Sequence, residues 1–204
     1  MNKKYCITAP AKLNLNLFVK NKNKYGLHFL ESDICFLELC DKLYINISKK
    51  DAFFQNKKTK SLIIDPNNNL ILKAIDQFRL FTKWEKKFEV FLDKQIPIGA
   101  GLGGGSADAA ATLIILRKIY NQETENKYID LSSLHKIALN LGSDVPACLK
   151  SKDLKLKGYG EKIIRSKFPE DYFFLLINPN VRLSTRDVFN HYKNSFNNQV
   201  HEND

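Results

Sequence analysis

The sequence contains no apolar run that approaches the roughly 20 residues a helix needs to cross a bilayer. Its first residues, Met1-Asn2-Lys3-Lys4, lead directly into strand-like sequence without the apolar segment of a secretory signal. Apolar residues nevertheless make up 44% of the 204-residue chain, enough to bury one substantial core and part of a second. We therefore expect a cytoplasmic globular protein with no membrane partner.

Cysteines are few and do not form a metal-binding pattern. Cys6, Cys35, Cys40 and Cys148 show no Cys-x-x-Cys spacing, and each lies in an apolar setting. Structural zinc sites need closely spaced ligands. The sequence therefore predicts buried free thiols and no metal site made of protein side chains.

Acidic residues are also few relative to basic ones. The chain has 22 Asp and Glu and 32 Lys and Arg, which gives a formal net charge of +10. A basic surface attracts nucleic acids as well as small polyanions. Since the lysines are scattered along the chain, we interpret the excess as compositional and expect a phosphate-rich small molecule, not a nucleic acid, as partner. A nucleic-acid module stays open as an alternative that requires exposed aromatic side chains beside the lysines.

Apolar periodicity predicts an α+β layer fold. Alternation with period two makes the N-terminal half rich in strands, and apolar residues at helical spacing indicate three helices. Asp130 is placed to cap the third helix, and Gly142 to end it in a left-handed conformation. Strands are predicted over 5–8, 13–19, 34–39, 43–47, 62–64 and 88–92, and helices over 70–81, 106–120 and 131–141.

The composition changes after Glu161. A buried strand is predicted over 172–177 and a helix over 184–192. We expect an N-terminal domain at residues 1–161 and the start of a second, incomplete domain at 162–204.

The most informative segment, residues 97–107, has five glycines in seven positions before a predicted helix. Glycine backbone can approach a ligand closely, and a helix start offers unpaired amides to an anion. We interpret it as a cradle for the phosphates of ATP, with a structural turn as the alternative. It has neither the Gly-Lys-Ser/Thr ending of a P-loop nor a dinucleotide-binding context. Ser106 can cap the helix, bind a phosphate oxygen or contact nucleotide-bound magnesium. The residues assigned to ATP are Pro97, Ile98, Gly99, Ala100, Gly101, Leu102, Gly103, Gly104, Gly105, Ser106 and Ala107.

Phosphoryl transfer also needs a group that positions the acceptor hydroxyl and a cation that offsets charge. Asp144 precedes Pro146 and suits the first turn of a helix, where an ionised carboxylate is favoured. On local sequence alone, plain helix capping explains Asp144 better than a functional role does. Lys12 interrupts an apolar stretch and can be either a functional cation or an outward-facing surface residue. Nothing in the local sequence brings the two together.

Six segments in order resemble the signature of the 4-diphosphocytidyl-2-C-methyl-D-erythritol kinase family of the GHMP kinase superfamily. The resemblance extends from residue 5 to about residue 190. The segments are 10–14, 26–28, 69–71, 97–107, 141–146 and 158–161.

The resemblance implies the GHMP kinase fold, with an N-terminal domain whose topology recurs in a ribosomal protein and a truncated α/β-layer C-terminal domain. It implies transfer of the ATP γ-phosphate, with Mg²⁺, to the 2-hydroxyl of 4-(cytidine 5'-diphospho)-2-C-methyl-D-erythritol in the non-mevalonate isoprenoid pathway. By match to the family's motifs, Asp144 is the base or hydroxyl-orienting carboxylate and Lys12 its charged partner. Asn69 falls where the family contacts adenine. The resemblance assigns the substrate to Asn14, His28, Thr185 and Phe189, with His28 and Phe189 at cytosine.

Two features depart from the family. Leu27 stands where the family usually has an aromatic residue beside cytosine. Family members also continue past position 204 into a fuller second domain. The alternatives are therefore another GHMP small-molecule kinase or a non-catalytic nucleotide-binding remnant.

Overall fold

The computed structural model describes residues 5–22, 28–56, 68–125, 127–159, 162–168, 173–178 and 188. Seven strands and four helices occupy this part of the chain. The elements are β1 Tyr5–Asn14, β2 Phe18–Lys22, β3 His28–Ser48, β4 Ala52–Gln55, α1 Leu70–Thr82, β5 Lys87–Asp93, α2 Gly104–Glu123, α3 Leu131–Leu141, α4 Val145–Cys148, β6 Leu154–Gly158 and β7 Lys162–Arg165.

The long strand β3 is the centre of a seven-stranded sheet with the order β4-β5-β3-β6-β7. Strands β1 and β2 also pair with β3. All pairs are antiparallel except β4 and β5, which are parallel and are joined through α1. Parallel neighbours need such a crossover connection, so this pair gives the fold its mixed α+β character.

The helices pack on one face of the sheet. In β5, Phe88, Val90 and Leu92 are buried while the alternate residues Glu89 and Phe91 are exposed, as expected for a strand with one solvated face. The first turns of α2 bury mainly alanines, whose small side chains let the helix approach the sheet closely. The start of α2 is thereby held against the centre of the domain.

The three predicted helices are confirmed, whereas the predicted strands 34–39 and 43–47 are one continuous strand, β3. Asp41 breaks the apolar pattern in the sequence, but it is fully buried because it forms an ion pair inside the core. The predicted strand over 13–19 is also wrong, because β1 ends at Asn14 and β2 begins at Phe18. The predicted strand over 62–64 lies outside the described residues.

The helix ends follow the expected capping chemistry in part. The Asp130 side chain accepts a hydrogen bond from the Ser133 amide at 2.7 Å, as predicted. Helix α3 ends at Leu141, but Gly142 has φ 158° and ψ 157°, an extended conformation and not the predicted left-handed one. Its extended backbone leads the chain directly into α4.

Cysteine burial is confirmed for Cys35 and Cys148 and is wrong for Cys6, which is exposed, while Cys40 is half-buried. Cys6 pairs with Tyr44 on the solvated side of the sheet, which the apolar local sequence does not reveal. Burial raises the pKa of the Cys148 thiol to about 12, so this thiol is neutral. Among the described residues, no group of three or more His, Cys, Asp or Glu is arranged to hold a metal ion. No helix of the described part has the length and apolar character needed to span a membrane.

The buried strand predicted over 172–177 is wrong for residues 173–177. These residues form no strand, and Phe173, Leu175 and Ile177 are 99%, 87% and 84% exposed. An apolar run becomes a buried strand only where a neighbouring strand satisfies its backbone, and none pairs with it in the part of the chain described. Of the predicted helix 184–192 only Val188 is described, and it is helical. The domain boundary after residue 161 stays a prediction, and β7 extends the first sheet.

Candidate active site

A glycine-rich loop, residues 97–103, connects the segment after β5 to the start of α2. Gly99, Gly101 and Gly103 have φ values of 76°, 76° and 63°, which side-chain-bearing residues rarely adopt. The Lys12 amide donates to the Leu102 carbonyl oxygen at 2.9 Å, and Leu102 is buried. The loop is therefore fastened to β1.

The start of α2 has no side-chain cap among the described residues. The N-cap position is Gly103, which has no side chain to accept a hydrogen bond from the first-turn amides. The predicted start at residue 106 is two residues late, so the capping role considered for Ser106 is wrong. Unpaired amides at a helix start bind anions well, because the positive end of the helix dipole reinforces them. This end of α2 is suited to hold a phosphate.

Two glycines, the last of the loop and the first of α2, are closely packed. A Cβ at Gly103 would lie 2.5 Å from Lys12 Cγ, and one at Gly104 would lie 3.0 Å from both Ile96 Cγ2 and Lys94 Nζ. A Cβ at Gly101 would meet no atom within 4 Å. The loop is thus closed against Lys12 and Lys94 on one side and open at Gly101.

These contacts predict unequal effects of alanine at two glycines with similar φ. Gly101→Ala is expected to lower the free energy of unfolding by about 1–2 kcal/mol through positive-φ strain alone. Gly103→Ala carries the same strain and a clash with Lys12 Cγ, an atom close to the backbone, so a further loss of about 1–3 kcal/mol is expected. Urea unfolding of both variants measures the difference. Equal losses would show that Lys12 yields freely to the added methyl group.

Lys12 and Asp144 meet beside this loop. Lys12 Nζ lies 3.0 Å from Asp144 Oδ2, and the two side chains are 8% and 34% exposed. Asp144 stands at the N-cap position of α4, yet its side chain makes no capping hydrogen bond. The plain capping explanation of Asp144 and the surface explanation of Lys12 are both wrong. Tertiary packing of β1 against α4 brings the pair together.

Asn14 and Ser32 extend this polar cluster. Lys12 Nζ also donates to Asn14 Oδ1 at 2.7 Å, and Asn14 Nδ2 donates to Ser32 Oγ at 2.6 Å. The Ser32 hydroxyl donates to the Asn16 carbonyl oxygen at 2.5 Å and is fully buried. Ser32 thereby fixes the amide of Asn14, and sequence analysis did not identify it. The feature of the sequence that could have identified Ser32 is a small polar residue at an inward-facing position of a strand, two residues before Ile34.

The remaining predicted site residues divide into two groups. Asn69 is buried at the N-cap of α1, where its Oδ1 accepts from the Ile71 amide at 2.9 Å. Its Nδ2 is buried and has no hydrogen-bond partner among the described residues. His28 is half-buried at the start of β3. Thr185, Phe189 and Leu27 lie outside the described residues.

A buried cluster of ionisable side chains lies beneath the loop and was not identified from the sequence. Lys94 Nζ lies 2.5 Å from Asp41 Oδ2 and 2.7 Å from Asp108 Oδ2, and all three side chains are at most 2% exposed. Burial raises the pKa of Asp108 to about 7, against the effect of the Lys94 charge. Burial by itself lowers the pKa of Lys94, but the charges of Asp108 and Asp41 outweigh it and raise that pKa above its ordinary value.

The exposed face of the sheet is the surface that the nucleic-acid alternative requires. Tyr44, Phe91 and Phe54 form one row across β3, β5 and β4, and Phe91 and Phe54 are 39% and 51% exposed. The neighbouring rows place Glu89 on one side and the pair of Lys42 and Asp93 on the other. Two carboxylates against one ammonium group give the rows beside the aromatic rings a net negative charge, which does not favour binding of a phosphate backbone.

Comparisons with known proteins agree with this geometry. Residues 69–152 match the model of the GHMP kinases N terminal domain. A 4-diphosphocytidyl-2-C-methyl-D-erythritol kinase of Shewanella loihica is 35% identical over 182 residues, which cover 89% of this chain and 62% of the relative. The one from Shewanella frigidimarina is 36% identical over 183 residues, covering 90% and 61%. The chain thus spans about three fifths of the length of the curated relatives it matches.

Solved structures give the same result for the fold. A crystal structure of 4-(cytidine 5'-diphospho)-2C-methyl-D-erythritol kinase superposes with a TM-score of 0.71 at 29% identity, covering 91% of this chain and 63% of that one. Mevalonate kinase of Methanococcus jannaschii, at 19% identity and a TM-score of 0.56 over 81% of this chain and 56% of that one, shares the fold. The predicted α+β GHMP kinase fold is confirmed. The chain is thus similar to the GHMP kinases N terminal domain over residues 69–152, and to 4-diphosphocytidyl-2-C-methyl-D-erythritol kinases over about nine tenths of its length.

Proposed function

We propose that this chain transfers the γ-phosphate of ATP to the 2-hydroxyl of 4-(cytidine 5'-diphospho)-2-C-methyl-D-erythritol, in the cytoplasm. The observation that carries the proposal is the Lys12–Asp144 ion pair at 3.0 Å beside the uncapped start of α2. An anion cradle next to a carboxylate and an ammonium group is what phosphoryl transfer to an alcohol requires. The names of the relatives support the choice of acceptor.

ATP fits the described residues at two points. The first-turn amides of α2 and the open space at Gly101 suit its phosphates, and the buried Nδ2 donor of Asn69 suits a polar edge of adenine. A Cβ at Gly105 would lie 3.5 Å from Leu70 Cδ1, so the starts of α1 and α2 are neighbours, as a single nucleotide requires. Mg²⁺ accompanying ATP would neutralise charge on the phosphates.

Asp144 is the group that handles the acceptor hydroxyl in this proposal. Its carboxylate is 34% exposed, so an incoming hydroxyl can donate to it while Lys12 holds one oxygen. A positioned carboxylate orients the hydroxyl oxygen toward phosphorus and takes up its proton as the new bond forms. The ion pair keeps the carboxylate in one rotamer, which lowers the entropy lost on reaching the reactive arrangement.

Lys12 connects this carboxylate to the glycine-rich loop of residues 97–103, which we call the phosphate loop in its proposed role. Its stem packs over Gly103 and its ammonium contacts Asp144 and Asn14. An ammonium so placed stabilises the negative charge that develops on the transferring phosphoryl group. In this proposal Asn14, which is held by Ser32, supports the polyol, and His28 contacts cytosine. His28 and Ser32 belong to the same strand, β3. Thr185 and Phe189 complete the proposed substrate set.

Binding and turnover test the proposal separately. The purified chain is titrated with MgATP in a calorimeter, and ADP release is then followed with the diphosphocytidyl methylerythritol as acceptor. Mevalonate and homoserine serve as control acceptors. Saturable ATP binding and ADP release with the cytidine diphosphate acceptor alone are expected. Absence of ATP binding would refute the nucleotide assignment, whereas binding without ADP release would refute the enzymatic one.

A further inference from the structure

The buried ion cluster of Lys94, Asp41 and Asp108 has a particular position relative to the phosphate loop. Lys94 comes shortly before residue 97, where the loop begins, and Asp108 lies in the first turns of α2, just after the loop ends. The Lys94 Nζ–Asp108 Oδ2 contact of 2.7 Å therefore joins the entry of the loop to its exit. We call this contact the neck pair.

Asp41 fixes the entry side of the neck. Its Oδ1 accepts hydrogen bonds from the backbone amides of Gln95 at 2.6 Å and Ile96 at 2.8 Å, while its Oδ2 accepts from Lys94 at 2.5 Å. Because Asp41 belongs to the central strand β3, the path of residues 94–96 is set by the middle of the sheet. The loop thus begins from a rigid support.

The exit side is fixed by Lys94 itself. A Cβ at Gly104 would lie 3.0 Å from Lys94 Nζ, so the ammonium sits directly under the first residue of α2. From there it reaches Asp108, one turn further along the helix. Lys94 therefore determines how far the start of α2 stands from the loop entry, and so where the uncapped amides point.

Stability is a poor explanation for this arrangement. Three ionisable groups that are at most 2% exposed cost much desolvation free energy when they are charged, and apolar side chains of similar volume often stabilise a core as well or better. Asp108 Oδ1 is moreover buried without a hydrogen-bond partner among the described residues, a further cost. Directional ion pairs do, however, hold a single geometry that apolar contacts do not enforce.

We propose that Lys94 and Asp108 are positioning residues that hold the neck of the phosphate loop in the geometry that binds ATP. They act through the loop and do not touch the substrate. The proposal rests on the proposed function, because it takes ATP as the ligand of the loop.

Three variants at Asp108 separate hydrogen-bond geometry from charge and from stability. Asp108→Asn keeps an acceptor for Lys94 at the same distance, Asp108→Ala removes it, and Asp108→Glu keeps the charge but lengthens the side chain. Ile119→Ala is the matched control, since it opens a cavity on the same helix about 22 Å along its axis from Gly104, at about 1.5 Å per residue. MgATP affinity by calorimetry, the KM values for ATP and acceptor, kcat, and melting temperature are measured for each.

The expected result is a loss confined to the nucleotide. Asp108→Ala and Asp108→Glu should raise the Kd and KM for ATP by about ten-fold or more, because displacement of a positioned group by an ångström is this costly. The KM for the acceptor should not change. Asp108→Asn should stay near wild type, and Ile119→Ala should melt earlier with an unchanged Kd for ATP.

Other outcomes overturn the inference. Wild-type affinity of Asp108→Ala for ATP would show that the loop needs no neck pair, and an equal loss in Ile119→Ala would show that α2 stability alone is responsible. If Asp108→Ala does not fold, equal Kd values of the Asn and Glu variants overturn it instead. Wild-type protein that binds no ATP refutes the proposed function, an outcome distinct from these.

Discussion

Asp144→Asn is expected to lower kcat for phosphoryl transfer by about 10²–10⁴-fold and to leave the Kd for ATP unchanged. The amide keeps the size of the carboxylate and an oxygen for Lys12, but it cannot take up a proton and does not offset the Lys12 charge. Because ATP contacts the loop and not Asp144 in the proposed arrangement, binding should survive. Steady-state kinetics and calorimetric titration with MgATP measure the two quantities.

Asp130→Asn is the matched control for this variant. Asp130 is likewise an aspartate at a helix N-cap, and asparagine caps a helix about as well. It makes no contact with Lys12 in the described part of the chain, so kcat should not change. Full activity of Asp144→Asn would mean that Asp144 does not act as base or as hydroxyl-orienting group, and a similar loss in both variants would point to a general effect on the helices.

Lys12→Met is expected to lower kcat by about 10²–10³-fold, comparable to the loss of one transition-state donor in other enzymes. Methionine retains the unbranched stem that packs over Gly103, so the change removes the ammonium and little else. Lys12→Arg should not restore activity, because a forked guanidinium does not fit a site in which the lysine side chain is only 8% exposed. Rates at saturating MgATP give the loss.

Two comparisons make the Lys12 result specific. Lys118→Met, at an exposed position on α2, should behave as wild type. The double variant Lys12→Met/Asp144→Asn should be little worse than the poorer single variant, because residues that act as one unit are not additive. Losses that multiply would show that the two side chains act independently, contrary to the 3.0 Å contact between them.

The parts of the fold that could be predicted are those with strong local patterns. Helices α1, α2 and α3 follow from apolar spacing, and the Asp130 cap from a local hydrogen bond. The wrong predictions of secondary structure and burial share one cause. Asp41 interrupts β3 in the sequence, and the run 173–177 imitates a buried strand, but whether a polar residue is buried or an apolar run is covered depends on partners far along the chain.

The candidate site divides in the same way. The glycine-rich loop is evident from composition, because a positive φ or a close backbone approach selects glycine directly. Lys12 and Asp144 were assigned by resemblance alone, and Ser32, Lys94, Asp41 and Asp108 were not identified. Each of these side chains has a plausible surface or capping role in its own segment. Their function depends on a partner that only the folded chain supplies.

The sequence by itself determined the glycine-rich loop and the helix that follows it, since the conformational freedom of glycine and the spacing of apolar residues in a helix are local properties. Only the tertiary structure decided that Lys12 on β1 contacts Asp144 and packs over Gly103. It also decided that Asp41 and Asp108 both pair with Lys94 beneath the loop. The physical reason is that charged side chains are buried only when packing pairs them, and strand pairing and helix docking decide which charges meet.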